Sequence, residues 1–507
     1  MSPDDAIIEG ETLLAEEERP PRTPGSMIAA STLWQVASQM VMAALSIVTV
    51  KFVAMGLSKE LAGEYNTAYG YLQLFGILAD FGLYAVAVRE VSKAKNKEHV
   101  LGALIVLRCI ILAVSLGSAL VIAWITPHWR GTPLPPAIAI AAFVPGLTLL
   151  AGIVRTVFQV EYRMHYVFVA EVTQRIITVL CTGFFIAAGI RGSTDPRILY
   201  WFLAVGGIGA LELLLVSVFF GRRIVPLRPR WDGALLKELF RQAAPYGVAY
   251  LCTALYRQFD VTLISMLRPH DFELQNAYYG FVQRMMDMAY LLPTFLLNST
   301  LPALSERDAR GEDTRSLLGK VFLSLLLLGT VAFLFSALWP RALIHLLTTD
   351  AYLSTATAPG SDTALQLLSV SMFMNGILLF SFYTLLAKHR WQPLVATLAL
   401  GVVLSLVLNV TLIPTRGFVG AATTSIIVHT FLASALLPQS LRILPIRLRW
   451  KDLGRWLLWA ALFAAVLLLL RPYLLTTTLT LFFGGVAGIW MLATLWLTGL
   501  HRVFRRG

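Results

Sequence analysis

From about residue 28 to the C-terminus, apolar stretches follow one another with short interruptions, each long enough to carry a helix across about 30 Å of hydrocarbon. In such a solvent every backbone N–H and C=O must find its partner within the chain, so runs of this length specify α-helices rather than open sheets. Composition agrees: 57% of the 507 residues are apolar and 14% charged, too little charge to cover a water-soluble chain of this size. A soluble enzyme, a nucleic-acid-binding domain and a secreted disulfide scaffold are excluded on these grounds. Cys109, Cys181 and Cys252 lie singly inside apolar runs, without the spacing of a redox or metal motif, and read as small core hydrophobes.

Breaks at Pro, Gly and charge divide the chain into fourteen expected transmembrane helices. They lie at about 28–56, 64–88, 100–125, 135–158, 166–189, 198–220, 244–267, 275–301, 317–339, 363–386, 392–413, 418–438, 453–471 and 476–498. The expected fold is an all-α integral membrane protein. Residues 1–26 form an acidic cytosolic tail, 27–220 a first six-helix lobe, 221–243 a cytosolic linker, 244–438 a second six-helix lobe, and 439–507 two peripheral C-terminal helices with a basic tail. The tail lacks the basic start and apolar core of a signal peptide, carrying Asp4, Asp5, Glu9, Glu11 and Glu16–Glu18 instead.

The net charge of +12 is a matter of placement. Every second inter-helix segment is basic, as in Arg89 to Lys97, Arg222 to Arg241, Arg307 to Lys320 and Arg442 to Arg455, whereas the alternate segments mostly carry one cation each, such as Lys59, Arg130, Arg268 and Arg416. Cytoplasmic loops collect Lys and Arg, so both termini are expected in the cytosol. The same basic surface is expected to meet anionic phospholipid headgroups, and no nucleic acid.

The segment around Asn66 recurs further along. Asn66, Tyr69 and Gly70 return as Asn276, Tyr279 and Gly280, with Phe281 in place of Tyr71. An even number of expected helices separates the copies, which predicts a parallel pseudo-two-fold repeat enclosing a central cavity.

Charges inside the expected spans are Lys51, Arg108, Arg175, Arg257 and Arg284, against Asp80, Glu171, Glu212, Asp260 and Asp287. Each needs a partner or a wet cavity. Glu171 with Arg175, Arg257 with Asp260, and Arg284 with Asp287 stand at helical contact spacing. They read either as intrahelical pairs that ease insertion or as arginines that also face an anionic substrate. At 1.5 Å per residue, Arg257 and Arg284 lie roughly 20 and 14 Å into their helices, near the middle of the bilayer. Lys51 is closer to an end and can snorkel. Gln35, Gln39, Gln258 and Tyr256 offer neutral hydrogen bonds to a sugar, or bridge helices. No catalytic set, metal site or phosphate loop is present, since Gly319-Lys320 lacks the upstream glycines.

Leu61-Ala62-Gly63-Glu64-Tyr65-Asn66, then Leu78-Ala79-Asp80-Phe81-Gly82-Leu83, then Arg89-Glu90-Val91-Ser92-Lys93, and later Ile413-Pro414-Thr415-Arg416-Gly417-Phe418-Val419-Gly420-Ala421-Ala422, resemble the polysaccharide-exporting flippases of the multidrug/oligosaccharidyl-lipid/polysaccharide exporter superfamily. Asn66 departs from a common glycine and Arg416 from a common aromatic. The resemblance implies a non-enzymatic flippase of the bacterial inner membrane. It would carry polyprenyl-diphosphate-linked oligosaccharide from the cytosolic to the outer leaflet by alternating access, with glycan-assembly enzymes as candidate partners, no cofactor, and Na+ or H+ open as coupling ion. On that reading Arg257, Arg284, Arg175 and Lys51 hold the diphosphate, because a guanidinium keeps its charge and donates two parallel hydrogen bonds. Asp260, Asp287, Glu171 and Asp80 moderate or couple, and Gln35, Gln39, Gln258 and Tyr256 meet the glycan. The competing readings are a multidrug cation antiporter of the same fold, a lipid II flippase and, from another class, a membrane glycosyltransferase or ligase.

Overall fold

The computed structural model describes residues 24–505 except Gly311 and His389. Most of the expected acidic tail, and the side chain of Gln35, lie outside the described residues. The helices are α1 (Pro24–Gly56), α2 (Lys59–Asp80), α3 (Leu83–Lys93), α4 (Lys97–Ile125), α5 (Leu134–Ala141), α6 (Phe143–Val160), α7 (Met164–Ala187), α8 (Pro196–Gly221), α9 (Gly233–Gln258), α10 (Asp260–Leu267), α11 (Phe272–Ala309), α12 (Arg315–Leu338), α13 (Pro340–Leu347), α14 (Ser361–Ala387), α15 (Trp391–Arg416), α16 (Phe418–Ile443), α17 (Trp450–Leu470) and α18 (Thr477–Leu497). Local chemistry sets many of the boundaries. Ser58, Asn96, Asp195, Asp232 and Thr476 each accept a backbone N–H of the first turn that follows, as N-caps do. α2 ends where Phe81 and Gly82 both take left-handed backbone, φ 45° and 69°.

The expectation of fourteen membrane-crossing helices in two six-helix lobes does not hold. Among the described residues, eleven helical segments have the length and apolarity to cross a membrane. Five of them begin within residues 27–220 and four within 244–438, so the halves are not matching sets of six. The three expected spans that fall short correspond to α2, α9 with α10, and α11. Their reading as spans rested on length, but they hold Glu64, Asn66 and Asp80, or Arg257 and Asp260, or Glu273, Arg284 and Asp287. Polar and charged groups of this kind favour packing among other helices over facing lipid.

That is where these helices sit. α2 packs along α11, and α9 touches α2, α3 and α4 before joining α15. Within the first part of the chain α1 packs on α7 and α6 on α8, and within the second α14 packs on both α12 and α16. The last two spans lean on α12 and α13, where Trp459, Phe463 and Leu467 meet Leu323, Leu327 and Trp339. Only 17% of each of those two spans is buried, against 56% for α12, α14 and α16, so most of their surface is left for lipid. All three cysteines are free, and Cys109 points outward from α4 rather than into the core.

The segment that recurs in the sequence is itself the contact between α2 and α11. Asn66 Nδ2 donates to the Asn276 carbonyl at 3.1 Å, and Asn276 Nδ2 donates to Thr67 Oγ1 and the Val261 carbonyl, both at 2.9 Å. A Cβ on Gly63 would stand 1.7 Å from the Glu273 carbonyl oxygen, so only glycine permits this approach. In a helix interior, Gly to Ala ordinarily gains up to about 1 kcal/mol. Gly63→Ala should instead lower the melting temperature of the purified protein, whereas Gly117→Ala, with open space around the added methyl, should leave it unchanged or raise it. Equal effects of the two substitutions would contradict this packing.

Candidate functional site

Two neighbouring cavities lie beside the C-terminal part of α2 and share Ile77 and Asp80. One, of about 360 Å³, is walled by Tyr250, Thr253, Tyr256, Arg257 and Gln258 of α9, with Thr294 of α11 and Asn375 of α14. The other, of about 470 Å³, is walled by Tyr69, Gln73 and Gly76 of α2, Pro145 and Thr148 of α6, and Arg284 and Asp287 of α11. Both are within the usual size range of small-molecule sites.

The intramembrane charges pair differently from the expectation. Arg257 Nη2 is 3.3 Å from Asp287 Oδ1, across two helices, and its guanidinium lies 5.2 Å from the Tyr290 ring. Gln283 Nε2 donates to the Arg257 carbonyl at 2.6 Å. Asp260 does not meet Arg257, because the helix is interrupted after Gln258 and Asp260 opens the next segment. Its carboxylate instead accepts from Tyr279 Oη at 2.8 Å and Asn409 Nδ2 at 2.9 Å, in full burial. Glu171 likewise ignores Arg175: it takes Arg155 Nη1 at 2.6 Å, Ser38 Oγ at 2.5 Å and Gln39 Nε2 at 3.2 Å. Gln39 therefore serves a helix contact. Asp80 lines both cavities while accepting Arg108 Nη2 at 2.8 Å, and buried Arg108 also donates to the Ala79 carbonyl at 3.0 Å.

Lys51 is not at the cavities. Its Nζ donates at 2.8 Å to the His345 carbonyl, near the end of α13, where a cation meets the negative pole of the helix.

Arg284 forms no ion pair with Asp287. Its guanidinium lies over two rings, 4.8 Å from Tyr65 and 5.0 Å from Tyr69, and its Nη2 is buried without a hydrogen-bond partner. Arg175 is in electrostatic range of the same two tyrosines and of Arg284, and its Nε also lacks a partner. A ring holds a guanidinium by its face, worth up to about 2 kcal/mol when water is excluded, and leaves the N–H edges free. Buried donors left open in this way carry a desolvation penalty that an incoming acceptor would relieve.

Gln258 and Tyr256 line the first cavity, and Gln258 Oε1 is buried and unpartnered. Three further groups escaped the reading of the sequence, Asn375 in the wall of that cavity and Tyr290 and His429 beside Arg257 and Tyr256. Asn375 Nδ2 and Tyr290 Oη are buried without partners, as is Nε2 of His429, whose ring stands edge-on to Tyr256 at 5.6 Å. Tyr65 and Tyr69 did carry a signal, being aromatics at i,i+4 within the segment that recurs, Tyr69 as one of its repeated residues.

Residues 28–306 match the model of a family described as polysaccharide biosynthesis protein. No curated protein matches the chain. Among solved structures, the lipid II flippase MurJ in an inward closed conformation superposes with a TM-score of 0.67 at 12% identity, over 93% of this chain and 99% of that one. An inward-facing multidrug resistance MATE family transporter of the MOP superfamily gives 0.59 at 12% identity, over 82% and 98%. A MOP superfamily transporter from Pyrococcus furiosus, described as having a binding pocket of reverse polarity, gives 0.58 at 13% identity, over 83% and 96%.

The ion pairs have a thermodynamic consequence. In a double-mutant cycle on melting stability, Arg257→Gln and Asp287→Asn should couple by more than about 0.5 kcal/mol, while Arg257→Gln and Asp260→Asn should add independently. Coupling to Asp260 and none to Asp287 would refute the cross-helix pairing.

Proposed function

The chain belongs to the polysaccharide biosynthesis protein family and has the fold of MOP-superfamily transporters; from that premise we propose that it is a flippase for polyprenyl-diphosphate-linked glycan units. It is a multi-pass membrane translocase rather than an enzyme. The observation that carries the substrate reading is Arg284, seated on Tyr65 and Tyr69 at the edge of a cavity with a donor left open. A diphosphate supplies the acceptors that such a group lacks.

Arg257 adds a second positive wall, tempered by Asp287. That tempering suits transport, since a site that binds too tightly cannot release on the far side. Arg175 stands behind Arg284 in the same field, and Lys51, engaged with His345, drops out of the diphosphate set. Tyr256, Gln258 and Asn375 border the neighbouring cavity and offer neutral donors and acceptors for sugar hydroxyls. Asp80 borders both cavities, where its pairing with Arg108 would respond to movement of α2 against α4. The alternation of basic inter-helix segments supports a cytosolic position for both termini. A cation antiporter is disfavoured by the two cavity arginines, which would repel an organic cation. A lipid II flippase shares the diphosphate chemistry and differs in the sugar.

Reconstitution into vesicles with a lipid-linked oligosaccharide and a leaflet-specific probe tests the proposal. Arg284→Gln should lower the flipping rate per inserted molecule at least about tenfold, on the order of 1.4 kcal/mol of lost stabilisation. Arg284→Lys should keep part of the rate, because long-range attraction survives while the planar fork is lost. Wild-type turnover in Arg284→Gln, or in the neutral pair Arg257→Gln with Asp287→Asn, would remove the diphosphate assignment for that group.

A further inference from the structure

A third cavity, of about 390 Å³, lies away from the central ones and shares no lining residue with them. It is formed where the chain leaving α16 crosses the first turns of α12 and enters α17, and Ser316, Gly319, Lys320, Arg447, Arg449 and Asp452 line it. Arg447 N donates to the Arg315 carbonyl at 3.0 Å. A Cβ on Gly319 would fall 2.4 Å from the Arg447 carbonyl oxygen, so glycine is what lets the crossing segment lie against α12. The Gly319-Lys320 pair, which is not part of a phosphate loop, thereby gains a structural use.

The charges in this cavity are unequal. Asp452 is buried and held by Arg455 at 3.2 Å, and Arg447 stands 3.4 Å from Asp313. Arg449 has no ion-pair partner among the described residues, and Lys320 adds a further cation to the wall. With Arg447 paired to Asp313 and Asp452 to Arg455, Arg449 is the charge left uncompensated in this wall, and an anion is the ligand that such a group suits. The surroundings say which kind of anion. α12 and α17 are both apolar enough to cross a membrane. Trp450, next to Arg449, is 87% exposed, the placement of an interfacial tryptophan. Leu457 and Leu458, further along α17, are exposed and offer acyl chains an apolar surface below the basic cavity. Basic cavities between spans at the membrane surface are suited to lipid headgroup phosphates.

We propose that this cavity binds the headgroup phosphate of an anionic phospholipid, with the acyl chains lying along α17. The site is separate from the transport cavity, so it stands or falls independently of the substrate reading.

The test uses the full-length protein purified in neutral detergent, with binding followed by native mass spectrometry. The probes are cardiolipin, phosphatidylglycerol, phosphatidylcholine and inorganic phosphate. The two anionic lipids should bind in preference to phosphatidylcholine. Arg449→Gln should weaken them about fivefold, Arg449→Lys should retain them, and Arg416→Gln, an exposed cation elsewhere, should leave them unchanged. Equal binding of phosphatidylcholine, or unchanged binding in Arg449→Gln, would overturn the site. Displacement of the lipid by inorganic phosphate at comparable concentration would assign the cavity to a soluble anion instead. Should Arg449→Gln fail to fold, the lipid preference of the wild type and the behaviour of Arg449→Lys decide the question.

Discussion

An arginine carried into hydrocarbon has to meet a carboxylate, a carbonyl, a ring face or water, and the way each is met here determines which helices lie together. Arg108 ties α4 to the end of α2 through Asp80 and the Ala79 carbonyl, Arg155 ties α6 to α7 through Glu171, and Arg257 ties α9 to α11 through Asp287. Each bond joins neighbouring helices rather than successive turns of one. Arg284 is met by the faces of Tyr65 and Tyr69, which leave its Nη2 without a hydrogen-bond partner beside the cavity. A buried ion pair is weak evidence for stability, since two well-packed apolar residues often serve as well. Their value here is positional, because they hold α2, α9 and α11 around one space.

The two ends of α2 do different things. Near Gly63 and Asn66 its backbone lies against α11 closely enough to exclude any larger residue, with polar groups of both segments bonded to each other. Near Asp80 it is held to α4 by Arg108 and borders two cavities. Immediately beyond, Phe81 and Gly82 turn the chain through left-handed backbone, and Phe81 stacks on Phe240 of α9 with centroids 5.2 Å apart. Gly82 and Gly247 leave room for Tyr246 and Phe81 to cross at that contact. The stretch of α2 that borders the cavities thus runs from tight helix contacts at one end to an aromatic contact at a backbone break at the other.

Much of this was legible in the residues. The membrane class followed from the apolar runs, and the segment around Asn66 and Asn276 announced itself by recurring, although its use as the contact between the two copies did not. The count of spans was less legible because α2, α9 and α11 are long helices whose polar residues make them poor membrane-crossing candidates, and length alone does not separate those cases. Pairing was misread for a physical reason. The i,i+3 and i,i+4 spacings of Arg257 with Asp260 and of Glu171 with Arg175 assume one unbroken helix with no better partner nearby. The interruption after Gln258 removes the first pair, and Arg155 on a neighbouring helix claims Glu171. Lys51 reaching the end of α13, far along the chain, leaves no trace in local spacing.

The proposed substrate reading rests on one atom, the unpartnered Nη2 of Arg284, meeting an anionic lipid cargo. Equilibrium binding of a polyprenyl diphosphate and of the matching polyprenol to the purified protein, side by side for wild type and Arg284→Gln, measures this directly. The wild type should favour the diphosphate by at least about tenfold, one charge-assisted hydrogen bond's worth, and Arg284→Gln should lose most of this preference while binding the polyprenol unchanged. Equal binding of the two lipids by the wild type, or an undiminished preference in the variant, would contradict it.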